Sequence, residues 1–327
     1  MRILNGLALA FFLCCRASFV YSEPTLQSII DAIQANAEKR AALLKHSSGA
    51  CTVRLQYEAG EDRPVEKIPF SMDNFHFDPN HTAQVTWMER DDLLRFDVVI
   101  PRPATPSTIW SPFPPKNTRT LLDGQRSVTY DVSADSVVID TQPPASVNPI
   151  AILYRFEPEL LYRFRGQALH ECLKSFQTSG WQPAISELQR DGMRLVTLEY
   201  SWKRGDNGRD REGSTRYTVS PDQGYALVEG SFVSRHFYNG KIGTNFERYD
   251  ATYSESPEKK GVWLLSHLRR LTDTFGTLDA VDISFEETRV GVQIPDADFT
   301  TESLGVKDGT PTLDRRIPSS GTATERP

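Results

Sequence analysis

Two imidazoles and a carboxylate fall within six residues at His76-Phe-Asp78-Pro-Asn-His81. These ligand types suit a divalent metal, but a closed site needs a fourth donor or a second pair close by. None follows. His46, His170, His236 and His267 are scattered along the chain. The stretch therefore reads as a polar turn, and no metal is expected. Cys14 and Cys15 lie in the apolar start of the chain, which leaves Cys51 and Cys172. In an oxidising compartment those two could form a disulfide; the other reading is two buried free thiols. The chain has no Gly-x-Ser-x-Gly elbow, His-Glu-x-x-His pair, phosphate loop or Gly-x-Gly-x-x-Gly turn. A triad needs no local signature, so a hydrolase stays as a minor alternative. The expectation is a non-enzymatic protein with no catalytic residues and no cofactor.

Tyr154-Arg155-Phe156 and Tyr162-Arg163-Phe164 repeat at a spacing of eight, and Arg165 follows. One reading is a basic, aromatic patch that meets a lipid headgroup or an anionic membrane. The other is a pair of amphipathic turns with aromatics packed inward and arginines in water.

The chain has 37 Lys and Arg against 43 Asp and Glu, a net charge of −6. That balance argues against nucleic acid as a partner, since phosphates need a basic field. Hydrophobic residues make up 39% of 327, enough to bury a sizeable core.

Met1-Arg2 followed by an apolar run from Ile3 to Cys15, with Val20 and Ser22 at −3 and −1, has the layout of a secretory signal peptide. Cleavage is expected near Ser22. It removes Arg2 and Arg16 and no acid, taking the net charge from −6 to −8. No second long apolar stretch follows, so no transmembrane span is expected after cleavage. The mature protein would be periplasmic or secreted.

The elements that must position any site come next. Leu26, Ile29, Ile30, Ile33, Ala37, Ala41 and Leu44 recur at three- and four-residue steps, which predicts an amphipathic helix of about twenty residues. Alternation then dominates. Strands are predicted at 51–57, 83–90 and 94–100, with Asp91-Asp92 as a turn, and near 120–122, 127–131 and 137–139. Residues 101–116 hold six prolines and cannot donate a full ladder, so they read as a loop or an edge. Residues 149–178 turn helical, best over 167–179. More hairpins follow, with strands at 181–189, 195–202, 215–219, 225–234, 248–253, 262–272, 281–285 and 288–294. The charged, glycine-rich stretch 203–214 reads as an exposed loop.

Ten or eleven short-turned strands imply an antiparallel meander. One apolar face per strand implies a cover on one side only. The expected fold is α+β: a strongly curved antiparallel sheet, an open half-barrel, covered on its concave side by the N-terminal helix and the mid-chain helical insert.

This order of elements resembles the periplasmic lipoprotein-carrier (LolA-like) superfamily, and more specifically its long secreted bacterial members. Three pieces carry the resemblance: Tyr217-Thr-Val-Ser-Pro-Asp-Gln-Gly-Tyr225, Gly261-Val-Trp263, and the ending Phe299-Thr-Thr-Glu-Ser-Leu-Gly305 with Asp308-Gly-Thr-Pro-Thr-Leu-Asp314. It implies one half-barrel domain over residues 23–305 after a signal peptide at 1–22, with a polar, frayed tail at 306–327. It also implies a monomeric exported binding protein that holds an acyl chain or a lipidated partner. The alternative is an envelope protein-interaction or sensor module with a filled core.

Trp87, Phe96, Val98, Leu198, Tyr200 and Trp202 would line the concave face. A cavity and a filled core need the same alternation there, so both stay open. Trp110 and Phe113, in the proline loop, would cover that face as a lid or plug a local groove. Arg155, Arg163 and Arg165 would meet a headgroup.

Overall fold

The computed structural model describes residues 24–59, 82–100, 117–123, 125–141, 168–206, 209–238, 241–274 and 277–316. The signal segment, the His76–His81 stretch, the proline loop with Trp110 and Phe113, and Arg155, Arg163 and Arg165 lie outside the described residues.

Helix α1 spans Leu26–Leu44. It starts where the Thr25 hydroxyl accepts a hydrogen bond from the Ser28 N–H at 3.2 Å, which satisfies one orphan donor of the first turn. Its inward stripe is Leu26, Ile29, Ile30, Ile33 and Ala37, as the periodicity predicts. A shorter helix, α2, spans Leu169–Thr178; Leu169 and Leu173 are buried with the α1 isoleucines in one cluster. Neither described helix is long and apolar enough to cross a membrane.

Among the described residues, fourteen strands form one open sheet. In chain order they are β1 (His46–Ala59), β2 (Thr82–Arg90), β3 (Leu93–Val99), β4 (Thr118–Leu122), β5 (Ser127–Asp131), β6 (Ser136–Asp140), β7 (Ala184–Arg190), β8 (Met193–Asp206), β9 (Arg209–Ser220), β10 (Ala226–Tyr238), β11 (Lys241–Glu255), β12 (Trp263–Thr274), β13 (Thr277–Val290) and β14 (Thr312–Asp314). The spatial order is β14-β6-β5-β4-β3-β2-β1-β13-β12-β11-β10-β9-β8-β7. Two meanders thus meet at a seam: β1 to β6 runs outward to one edge, and β7 to β13 runs back from the other until β13 pairs antiparallel with β1.

Four expectations need correction. The stretch 203–214 is not a loop: β8 and β9 continue as a ladder through Lys203↔Glu212 and Gly205↔Asp210. Charge and glycine content hid it, because the residues there carry no apolar alternation to read. The predicted hairpin at 281–294 is a single strand, β13; Glu286 is the extra residue at a register shift opposite Ala50 and Cys51, a bulge that keeps the strand paired while breaking its alternation. The ending is not frayed as far as residue 316. β14 pairs parallel to β6, and Val137 donates its N–H to the Pro311 carbonyl at 2.9 Å. The sheet is therefore mixed.

The fourth correction concerns the cover. A second apolar cluster joins Leu121, Val128, Tyr130 and Val137 of β4–β6 to Ile294, Phe299 and Leu304 of the C-terminal segment. Leu121 and Val128 pair with each other and alternate with Thr120 and Thr129, which lie on the face of Phe96. This cluster therefore lies on the sheet face away from the helices. The C-terminal segment is a second cover, locked down by two one-turn 3₁₀ helices, Asp296–Phe299 and Glu302–Leu304.

Elsewhere that outer face mixes charged side chains with buried Phe246, Leu271 and Ala280. Asp282 of β13 is an enclosed charge on this face, with a side chain 6% exposed. Burial alone would raise its pKa. The hydrogen bond from His267 and the nearby charges of His267, Arg269 and Arg54 outweigh burial and hold the carboxyl below its ordinary value. His267 Nε2 lies 3.1 Å and Arg269 Nε 3.2 Å from Oδ2. The pKa is lower folded than unfolded, so the stabilisation is complete above the unfolded carboxylate range and is lost as pH falls through the folded value. Arg54 is 46% exposed, so the pairs are partly screened, and Asp282→Asn is expected to cost about 1–2 kcal/mol at pH 7. Urea unfolding of both proteins at pH 7 and pH 3 checks this: the gap should narrow at pH 3, and an unchanged gap would refute the electrostatic account.

Candidate functional site

Trp87, Phe96, Val98, Leu198 and Tyr200 come together on the helix-side face, all in the cluster that holds Ile29, Ile30 and Ile33 of α1. Strand register explains the placement. Trp87 faces Phe96 and Val85 faces Val98 across β2–β3, and Leu198 faces Tyr217 across β8–β9. The seam strands fill the middle with Val53 and Ile283, β12 adds Leu268, and β11 adds Tyr249 and Ala251. Sequence reading missed Tyr217, Tyr249 and Ile283 as site residues, although their alternation within 215–219, 248–253 and 281–285 carried the signal.

Three glycines shape this face. Gly49 pairs with Trp87, Gly213 with Trp202 and Gly230 with Tyr249. At each, an added Cβ would collide with the partner's ring. The aromatic ring lies over the bare glycine backbone of the neighbouring strand and covers it, a device that stiffens glycine-containing sheets. Trp87 also meets Phe285 edge-on at 5.9 Å.

Phe176 of α2 packs on Tyr200 with ring centroids 4.9 Å apart and stacks on Trp181 at 5.4 Å. Burial pushes the Tyr200 phenol well above its ordinary pKa, and Tyr217 likewise. Tyr200 is 1% exposed, and its Oη has no hydrogen-bond partner among the described residues. A buried hydroxyl left unmet costs about 1–3 kcal/mol. Tyr200→Phe is therefore expected to leave stability unchanged or raise it by up to about 1 kcal/mol, read as the urea midpoint. A loss above that size would reveal a bonded hydroxyl.

Trp202 is half-buried. It lines an open groove of about 540 Å³ with Lys203, Glu212, Gly213, Val233 and Arg235, and is the candidate site residue that meets solvent. Cys51 and Cys172 are buried free thiols. Burial, then the Glu286 charge, pushes Cys51 up to about 12, so it remains a protonated thiol in the core. Among the described residues no three metal-ligating side chains come together.

No protein-family model matches the chain, and no curated protein matches it. Among solved structures, it is similar to a domain described as an outer membrane lipoprotein-sorting protein from Vibrio parahaemolyticus, at 12% identity and a TM-score of 0.39, covering 86% of this chain and 99% of that one. A DUF1329 family protein from Desulfovibrio piger is similar at 11% identity and a TM-score of 0.37, covering 86% of this chain and 100% of that one. The Pseudomonas aeruginosa MucA/MucB complex is similar at 10% identity and a TM-score of 0.22, covering 80% of this chain and 100% of that one. TM-scores of this size leave the functional reading to the site itself.

Proposed function

We propose that the chain is an exported, non-enzymatic binding protein that takes up an acyl chain, free or attached to a partner, between the helix-side face of its sheet and helix α1. In this reading the sheet curves around the helices as an open half-barrel. The supporting observation is one continuous apolar layer running from Phe96 and Val98 on β3 to Leu198 and Tyr200 on β8, roofed by α1 and α2. The layer ends at the unmet Tyr200 hydroxyl, a donor for a polar group carried by a ligand. Each methylene that enters contributes about 0.8 kcal/mol, so a long chain could offset the lost contacts of a displaced helix. Uptake then requires α1 to move.

The second reading, an envelope interaction module with a filled core, is favoured by the burial of Trp87, Phe96, Val98, Leu198 and Tyr200, none more than 5% exposed. Native mass spectrometry of the protein taken from its own envelope fraction separates the two. A co-purifying species of lipid mass supports the carrier. A stoichiometric polypeptide without lipid supports the module, and failure of the lipid-free protein to take up an acyl probe counts against the carrier.

A further inference from the structure

The two edges of the sheet differ. β14 ends one side and is three residues long, Thr312–Asp314, a short edge that offers little to another strand. β7 ends the other side with seven residues, Ala184–Arg190, every one of them exposed. Among the described residues β7 pairs only with β8, in unbroken register from Ala184↔Glu199 to Arg190↔Met193. Its far side is a row of main-chain N–H and C=O groups open to another strand. Natural edges are blunted by proline, by a bulge or by a charge standing over the edge. β7 has no proline and no register shift. Its two charges are drawn inward: Glu187 accepts hydrogen bonds from Arg194 of β8 at 3.0 and 2.9 Å, and Arg190 pairs with Glu229 of β10.

Two large apolar side chains of this strand, Ile185 and Leu188, are left exposed. They stand on opposite faces, because side chains alternate along a strand: Ile185 lies opposite Leu198 on the helix side, and Leu188 opposite Leu195 on the other. A second copy of the chain is a poor occupant. Seven residues at about 3.4 Å each make an edge about 24 Å long. For a sheet about 10 Å thick, pairing two such edges buries on the order of 500 Å², half of what a stable interface needs. Full-length two-fold pairing would also centre on residue 187 and set Glu187 opposite its own copy, a like-charge pair. The row of free main-chain groups is complementary to an extended chain that has no folded surface of its own to orient.

We infer that the β7 edge adds a strand from an extended polypeptide segment of a partner protein, chosen by two apolar side chains three positions apart, one against Ile185 and one against Leu188. Main-chain hydrogen bonds supply the hold, and the two side-chain pairs supply the choice. Uncharged residues suit the positions between them, because Glu187 and Arg190 already have their counter-charges within this chain. An interface of this size is a transient one. The edge lies outside the apolar layer under α1, so the inference does not depend on the carrier reading.

The test uses the full mature chain and fluorescein-labelled peptides of Thr and Ser that carry two Val residues two, three or four positions apart. A copy of the three-spaced peptide with its backbone amides N-methylated is the control that keeps the side chains and removes the donors. Binding is read by fluorescence anisotropy. The expected result is saturable binding, tightest at a spacing of three and weakened about tenfold or more by N-methylation, by Ile185→Lys and by Leu188→Lys. Both substitutions fall at exposed positions, so the melting temperature should stay within about 2 °C of the parent. Amide hydrogen exchange over residues 184–190 should slow when the three-spaced peptide is added. No saturable binding, no preference among the spacings, or equal binding of the N-methylated peptide overturns the inference. Slow exchange over 184–190 without peptide, together with concentration-dependent dimers that Leu188→Lys dissolves, assigns the edge to a second copy and overturns it as well.

Discussion

Ile33→Asp is expected to destabilise the protein by about 4 kcal/mol or more, the sum of a lost buried side chain and a carboxyl placed in an apolar core. Ile33 is 0% exposed and shares one buried cluster with Val53 and Ile283 of the seam strands and Val85 of β2. For a chain of this size the change corresponds to a fall in melting temperature of roughly 8–16 °C. Ala35, on the exposed side of the same helix, provides the control: Ala35→Asp should cost less than about 1 kcal/mol, the difference in helix propensity. Both are read by thermal unfolding followed by circular dichroism. Ile33→Asp should also raise binding of an apolar dye, because detaching α1 uncovers the layer beneath it. If Ile33→Asp melts within a degree or two of the parent, α1 is not docked, and the filled-core and carrier readings both fail.

The second large effect is expected at Gly49. Its φ is not in the left-handed region, so backbone freedom is not the reason for glycine here. Space is. A Cβ would fall well inside contact distance of the Glu287 carbonyl oxygen and of the Trp87 ring at once. Trp87 is 5% exposed and held by Phe285, and the carbonyl belongs to the β13 backbone beside the bulge, so neither can yield cheaply. Gly49→Ala should cost about 3 kcal/mol, the upper end for overpacking a tight core. The double substitution Gly49→Ala with Trp87→Leu should recover the ring part of that cost and leave the carbonyl part. A cycle of the four proteins by urea unfolding measures this coupling, and a single substitution costing less than 1 kcal/mol would show that the ring does not lie over the glycine.

The helix and most strands were legible because burial on one side imposes a period that survives in the residue order: Ile29, Ile30 and Ile33 repeat at helical steps, and Leu94, Phe96 and Val98 at strand steps. The candidate site was legible for the same reason, since Trp87, Phe96, Val98, Leu198 and Tyr200 were already alternating apolar positions. The β8–β9 ribbon past Trp202 was not, because its charged, glycine-rich residues carry no apolar period to read. Nor was the bulge at Glu286, where one extra residue inverts the alternation.

The sequence by itself determined which residues face inward along each element, because that choice depends on neighbours within a few positions. Only the tertiary structure decided which elements meet. The β1–β13 seam joins residues more than two hundred positions apart. The covering of the outer face of β4–β6 by Ile294, Phe299 and Leu304 depends on the same kind of contact. No local pattern encodes which distant surface an apolar residue will find; that is settled when the whole chain buries its area at once.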